Sequence, residues 1–191
     1  ILKAFFLAGG PGSGKSYVVK RGTGGLGLKI VNSDDVLEKY IKDAGLSLKM
    51  PKSEEDARQA NYVEGRLGLI IDGTGKDYSK ITDQATKLKI LGYDVHMIFV
   101  NTSLETALQR NAKRDRTVPR SIATKSWKTV QSNMGKFSQY FRQNFLVVDN
   151  NDSEEDVMGP VFKQVMSLAK KKVQNKTGLN WIQGELDKRK R

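Results

Sequence analysis

The chain has 191 residues, no cysteine, and a formal charge of +12 at neutral pH. Its length suits one domain with a sizeable core, and the lack of cysteine excludes disulfides and thiolate metal sites. Since no stretch approaches the roughly 18 uninterrupted apolar residues of a membrane-spanning helix, we expect no membrane span and no signal peptide. We therefore expect a cytoplasmic protein.

The positive charge is concentrated in two segments. Residues 110–128 hold seven basic residues against one acidic residue, and residues 163–191 hold nine against two. The first segment suits contact with nucleotide phosphates, and the second has the composition of a tail that either contacts a polyanion or is simply solvated. Nucleic acid is thus a candidate partner through a basic lid and tail.

Predicted strands and helices alternate along the chain. Short apolar runs predict five strands, at residues 3–8, 28–32, 67–72, 94–100 and 145–149. Because this alternation implies right-handed crossovers, we expect a parallel sheet with helices on both faces. The predicted fold class is α/β.

Three helices are predicted from their ends or faces. A capping box, Thr102 to Glu105, opens one that runs towards Ala112. Pro160 suits the first turn of the last predicted helix. A further helix is predicted because four apolar residues fall on one helical face: Ile81, Ala85, Leu88 and Leu91. Gly92 follows them and is predicted to end this helix.

The chain is predicted to form a domain of residues 1–173, with a lid at about 110–120, followed by a basic C-terminal tail at 174–191. Trp181 and Ile182 are the predicted docking point of the tail, whose last residues are predicted to fray. Residues 45–66 are polar and irregular, which suits an acceptor-side surface segment.

A phosphate-binding loop occupies residues 9–16, which read Gly-Gly-Pro-Gly-Ser-Gly-Lys-Ser and match G-x-x-x-x-G-K-[ST]. A strand before it and a helix after it aim backbone N–H groups and the helix N-terminus at one phosphate. We expect Lys15 to reach the β- and γ-phosphate oxygens and the Ser16 hydroxyl to ligate Mg²⁺. The predicted nucleotide-binding residues are Gly10, Gly12, Ser13, Gly14, Lys15 and Ser16.

Asp34 and Asp35 end the run that begins at Leu28. The carboxyl ends of parallel strands line the edge that carries the phosphate loop, so a carboxylate there can accept a proton from an attacking hydroxyl. We predict Asp34 as this base and Asp35 as an acceptor-side residue stabilised by a helix N-terminus. The alternative is that both only cap a helix.

Asp72 follows three apolar residues and precedes Gly73-Thr-Gly75, which is typical of a strand tip that holds Mg²⁺. We predict that Asp72 lies on the metal and substrate side and that Thr74 offers its hydroxyl to the acceptor. The alternative is a glycine turn in which Asp72 bonds its own backbone.

Arg110, Arg114 and Arg116 recur near helical spacing before Pro119 breaks the helix. Guanidinium groups there can close over phosphates and neutralise transition-state charge. We predict Arg110 as nucleotide-binding and Arg114 and Arg116 as catalytic, the alternative being a solvated basic helix face. His96, the single histidine, is predicted to be packed and to have no role in catalysis.

The order GGPGSGKS, VNSDD, IIDGTG, LGYDVHMIFV and NAKRDRTVP resembles the zeta-toxin family of P-loop kinases over about residues 1–150. It is also similar to the kinase domain of bacteriophage-type polynucleotide kinases. The resemblance implies a P-loop NTPase fold, nucleoside-kinase-like, with a five-stranded parallel sheet and an arginine-rich lid. It also implies Lys15 and Ser16 on ATP and Mg²⁺ and Asp34 as the base. Segment 45–66 departs from both families.

The expected function is ATP- and Mg²⁺-dependent transfer of the γ-phosphate to a hydroxyl acceptor. Zeta toxins imply a nucleotide sugar, UDP-N-acetylglucosamine, and polynucleotide kinases imply a 5′-hydroxyl end. An alternative of another class is a non-catalytic ATP-binding module docked in a larger assembly. The sequence names no protein partner, whether antitoxin or assembly.

Overall fold

The structure, a computed structural model, describes residues 2–22, 26–31, 66–114, 117–151 and 158–190. For residues 20–22 and 158 it describes the backbone only. The predictions for Asp34, Asp35 and Arg116, and those for nearly all of segment 45–66, lie outside the described residues.

The described strands form one five-stranded sheet: β1 (Lys3–Ala8), β2 (Lys29–Val31), β3 (Leu69–Asp72), β4 (Asp94–Asn101) and β5 (Phe145–Asp149). Their order is β2-β3-β1-β4-β5, and every neighbouring pair is parallel. The predicted α/β fold with a parallel sheet is confirmed. Because β1 lies at the centre, the loop that follows it opens at the middle of one sheet edge.

Six helices are described: α1 (Lys15–Gly22), α2 (Tyr78–Ile90), α3 (Leu104–Ala112), α4 (Arg120–Phe141), α5 (Met158–Lys170) and α6 (Lys176–Lys188). A 3₁₀ turn, Arg142–Asn144, leads from α4 into β5. Among the described helices none is long and apolar enough to span a membrane.

The core lies on both faces of the sheet, because alternate residues of each central strand point to opposite sides. Phe6 and Met97 face α2 and α4, where Phe137 and Phe141 complete the core. Phe5 and Ile98 face the other side and pack with apolar residues of α1 and α5. The prediction that His96 is packed is confirmed.

Helix α3 begins one residue later than predicted. Its N-cap is Ser103, whose hydroxyl accepts from the Thr106 backbone N–H at 3.1 Å, so the predicted cap at Thr102 is wrong. The reason is tertiary: Thr102 is buried, and its carbonyl accepts from the Trp127 indole N–H at 2.9 Å. Gly92, with φ of 102°, does follow the end of α2 as predicted.

Helix α6 follows α5, so the prediction that the helix at Pro160 is the last one is wrong. Asn175 caps α6, and its amide donates to the carbonyls of Lys89 at 2.7 Å and Tyr93 at 3.2 Å. Gly92 and Gly178 bring the two backbones together, since a Cβ atom at Gly178 would overlap the Gly92 carbonyl. Trp181 and Ile182 pack against the core, as predicted, whereas the domain boundary at 173 stays a prediction.

Candidate active site at the carboxyl edge of the sheet

The carboxyl ends of the central strands gather the predicted site residues at one edge. The phosphate-binding loop follows β1, Asp72 ends β3, and Asn150 follows β5. The Gly9 backbone N–H donates to the Thr74 carbonyl at 3.1 Å, so the turn after β3 contacts the start of the loop. This arrangement is the crevice in which open α/β sheets bind their ligands.

The phosphate-binding loop requires glycine at two positions. Gly12 and Gly14 have φ of 79° and 88°, in the left-handed region that favours glycine. A Cβ atom at Gly12 would overlap the Ala107 carbonyl of α3, and one at Gly14 would overlap the Asn150 amide. The loop is therefore pressed between α3 and the residue that follows β5.

Lys15 opens α1, and its ammonium donates to the Gly9 carbonyl at 2.6 Å. Burial lowers the pKa of Lys15; Asp72 opposes this shift, and Arg114 and Lys76 add to it. Asp72 and Arg114, both predicted for this site, thus lie within electrostatic reach of Lys15. Ser16, the next residue, is exposed.

The turn after β3 is fixed from α4. The Asn133 amide donates to the carbonyls of Gly75 at 3.1 Å and Lys76 at 2.8 Å. A Cβ atom at Gly75 would lie 2.7 Å from the Ala8 Cβ, which shows how closely the turn approaches β1. Asp72 is half-buried and Thr74 is exposed beside the loop, while their metal and acceptor roles stay predictions.

The residues present fit a nucleotide with Mg²⁺. The buried Ser13 hydroxyl has no hydrogen-bond partner among the described residues, as expected of a loop built to bind a ligand. Ser16 and Asp72 offer oxygen donors, which Mg²⁺ prefers, and this ion takes most other ligands from water and phosphate. The described ranges contain no cluster of three or more His, Cys, Asp or Glu side chains able to hold a metal.

Part of the predicted arginine lid lies within the described residues. Arg110 donates to the Asn150 carbonyl at 2.6 Å, which ties α3 to the residue after β5. Arg114 lies beyond the end of α3 at Ala112, so its predicted helical spacing from Arg110 is wrong. The helix ends here because the Asn111 side chain turns to Val118, donating to its carbonyl at 2.7 Å and accepting from its N–H at 3.2 Å.

Asn150 is the main positioning residue whose contact with the phosphate-binding loop sequence reasoning did not find. It is 7% exposed; its side-chain amide donates to the Ser13 carbonyl at 2.8 Å, and its backbone N–H donates to the Asn101 carbonyl at 2.9 Å. The available signal was a polar residue directly after a predicted strand. Trp127, whose Cα lies 3.3 Å from a Cβ position at Gly10, had no such signal.

One side of α4 carries a wide basic depression of about 760 Å³. Its walls are formed by three cationic and three hydroxyl side chains: Arg120, Ser121, Thr124, Lys125, Lys128 and Thr129. The same helix contacts the phosphate-binding loop through Trp127. A surface suited to phosphate groups thus lies on an element of the candidate site.

Solved structures of similar fold include the following two. A gluconokinase from Sinorhizobium meliloti 1021 aligns with a TM-score of 0.55 and 14% identity, over 88% of this chain and 91% of that chain. A chain of the Pnkp1/Rnl/Hen1 RNA repair complex aligns with a TM-score of 0.52 and 24% identity, over 71% of this chain and 46% of that chain. At these identities the likeness concerns the fold alone, which is a kinase-like P-loop fold.

No curated protein sequence matches this chain. The family model described as AAA domain matches residues 5–137, which include the phosphate-binding loop, the turn after β3 and most of α4. Because this match covers more than half of the residues, the chain belongs to the AAA domain family.

Proposed function

We propose that the chain is an ATP- and Mg²⁺-dependent kinase that transfers the γ-phosphoryl group to a hydroxyl. The observation that supports this most is Lys15, held by a backbone carbonyl inside the phosphate-binding loop, with Asp72 and Arg114 in electrostatic reach. Phosphoryl transfer is catalysed mainly by positioning and charge neutralisation, which such an arrangement supplies.

Each residue has a proposed part in that reaction. The loop N–H groups and Lys15 bind the β- and γ-phosphates, and Ser16 and Asp72 would hold Mg²⁺, which neutralises charge when bound. Arg114 and Arg116 cover the transferred group and exclude water, while Arg110 holds α3 against the nucleotide side through Asn150. Asp34 orients the acceptor hydroxyl and accepts its proton, with Asp35 on the acceptor side.

The first candidate acceptor is a nucleotide sugar such as UDP-N-acetylglucosamine. It is supported by the resemblance of the Asp72–Gly75 turn and its following helix to zeta toxins. The exposed Thr74 hydroxyl, beside the start of the phosphate-binding loop, is available to such an acceptor.

The second candidate acceptor is a 5′-hydroxyl polynucleotide end. The depression on α4 favours it, because three cations and three hydroxyls suit the phosphates of a nucleic-acid backbone. The similarity in fold to a chain of an RNA repair complex adds support.

The test measures transfer from γ-labelled ATP to both acceptors side by side. We expect label on one acceptor, lost in Asp34→Asn and reduced much less in Asp35→Asn, since Asp35 would contact the acceptor without taking its proton. Equal loss in both variants would remove the assignment of Asp34 as the base. Label on the oligonucleotide that falls steeply with salt and is lost in Lys125→Met/Lys128→Met would select the nucleic-acid branch.

ATP binding must be measured in the same samples. If ATP binds with Mg²⁺ and neither acceptor is labelled, the alternative of a non-catalytic module docked in an assembly takes precedence. If ATP does not bind, the proposal fails at its first step.

A further inference from the structure

A second cavity lies at the opposite edge of the sheet from the phosphate-binding loop. It has a volume of about 230 Å³, and its walls come from the starts of β1 and β4, the 3₁₀ turn, the end of α5 and the chain after it. This volume admits a small ion with a few waters, because one water takes about 30 Å³ of liquid volume. It is below the roughly 300–1,000 Å³ of pockets for drug-sized ligands.

The ion pair in this cavity is already satisfied. Lys3 is 2% exposed and donates to Asp94 Oδ2 at 2.6 Å. The Asp94 carboxylate also accepts the backbone N–H groups of Gln174 at 3.0 Å and Asn175 at 2.9 Å. Since Lys3 neutralises Asp94, the ammonium of Lys171 leaves the cavity with a net positive charge.

Several polar side chains in the wall have no hydrogen bond within the described part of the chain. They are the amides of Gln143, Asn144 and Gln174 and the ammonium of Lys171, all at the cavity surface. His96 also lines the cavity, is 4% exposed, and stacks on Phe5 with ring centroids 4.9 Å apart. Neither of its ring nitrogens has a partner among the described residues, and leaving buried polar atoms unpaired costs free energy.

We propose that this cavity binds a small oxyanion, of the size of inorganic phosphate, held by Lys171 and by the amides of Gln143 and Asn144. The excess positive charge selects an anion, and the free amide N–H groups supply directed donors to its oxygens. The site lies beyond the proposed kinase reaction and uses none of its residues.

His96 provides the electrostatic link to such an anion. The groups that face it are Lys3 from β1, Asp94 from β4 and Lys171 after α5. Burial lowers the pKa of His96 to about 4; Lys3 and Lys171 add to this shift and Asp94 opposes it. A bound anion favours the imidazolium and raises this pKa, and by reciprocity the anion binds more tightly as the pH falls.

The test uses His96 as a reporter, because the single histidine of the chain has one ring Cε1–H resonance in the NMR spectrum. The full chain is titrated at pH 6 with inorganic phosphate and, separately, with acetate, against chloride at equal ionic strength. Lys15→Met is titrated in parallel, so that phosphate bound at the phosphate-binding loop does not contribute. We expect a saturable shift of the resonance and a His96 pKa raised by about one pH unit.

The matched variants are Lys171→Met and Lys172→Met, two neighbouring exposed lysines of which only the first lines the cavity. We expect the response to be lost in Lys171→Met, kept in Lys172→Met and recovered in Lys171→Arg. A response to phosphate alone supports a phosphate site, and a response to both anions supports a general oxyanion site. No saturable shift, or an equal response in both methionine variants, overturns the proposal.

Discussion

The two edges of the sheet each bury a lysine next to the central strand β1, and they hold it differently. At the amino edge, where the parallel strands begin, Lys3 forms an ion pair with Asp94 at 2.6 Å. At the carboxyl edge Lys15 donates to the neutral carbonyl of Gly9, and Asp72 acts on it only through space. The first lysine is neutralised inside the protein, whereas the charge of the second remains available to a ligand.

We therefore interpret Lys3 as a cation that stabilises the fold and Lys15 as a cation that binds a ligand. Breaking a buried ion pair leaves an uncompensated charge, so the fold depends on Lys3. Burial lowers the pKa of Lys15, so the folded protein holds this charge at a cost, and we expect the fold to tolerate the loss of Lys15. The four predictions below test this separation, beginning with the largest effect.

Lys3→Met should lower the free energy of unfolding by about 3–5 kcal/mol, because Asp94 would stay buried without its partner. Urea denaturation measures the loss. Lys172→Met, a change at an exposed lysine, is the control and should stay within about 0.5 kcal/mol of the parent protein. Similar values for both variants would show that the ion pair does not hold the amino edge together.

Lys15→Met should leave the free energy of unfolding nearly unchanged and reduce phosphoryl transfer by roughly 10²–10³-fold, about 3–4 kcal/mol. The reason is that Lys15 neutralises charge on the transferred group rather than within the protein. Steady-state transfer and urea denaturation are measured on the same preparation. Lys76→Met, which removes a cation that also acts on Lys15, is the control and should have the smaller kinetic effect. If Lys15→Met lost stability but kept its transfer rate, Lys15 would be the structural cation instead.

Acid should destabilise the amino edge through His96. Its pKa is about 4 when folded and near 6.5 when unfolded, so the unfolded chain takes up the proton first as the pH falls. The stability is therefore complete above about pH 6.5 and falls by about 3 kcal/mol as the pH approaches 4. Urea denaturation of His96→Phe between pH 7 and 4 should lack this component, and an unchanged pH dependence in the variant would assign the acid sensitivity elsewhere.

Asn150→Ala should cost about 1–3 kcal/mol, because the buried Ser13 carbonyl loses its donor. Since that contact shapes the phosphate-binding loop, we expect the KM for ATP to rise more than kcat falls. Asn180→Ala, at an exposed position of α6 far along the chain from the loop, is the control for both readouts. A fall in kcat with an unchanged KM would place the role of Asn150 in the chemical step instead.

The features that were predictable from the sequence are local. The phosphate-binding loop follows from eight consecutive residues, and strands β1 and β5 match their predicted ranges because they are short apolar runs. Gly92 was found because a helix stop is a property of its own backbone. Such features need no knowledge of what packs against them.

The features that were missed depend on distant contacts. The cap at Ser103 follows from Trp127 binding the Thr102 carbonyl, and the position of Asn150 follows from a partner 137 residues away. Helix α6 was hidden by its polar composition, since it depends on the close approach of Gly92 and Gly178 and on the Asn175 cap. The periodicity of apolar residues along the chain predicts none of these contacts, because they join residues that are distant in sequence.

The hydrogen bonds around Lys3 and Asp94 also set an order for folding during synthesis. Lys3 contacts the Lys172 carbonyl 169 residues further along the chain, and Asp94 accepts the N–H groups of Gln174 and Asn175. The central strand therefore emerges from the ribosome well before residues 172–175, and its amino end stays incomplete until they follow. Contacts between residues so distant in sequence form slowly, so the amino edge should be the last part of the sheet to reach its native contacts.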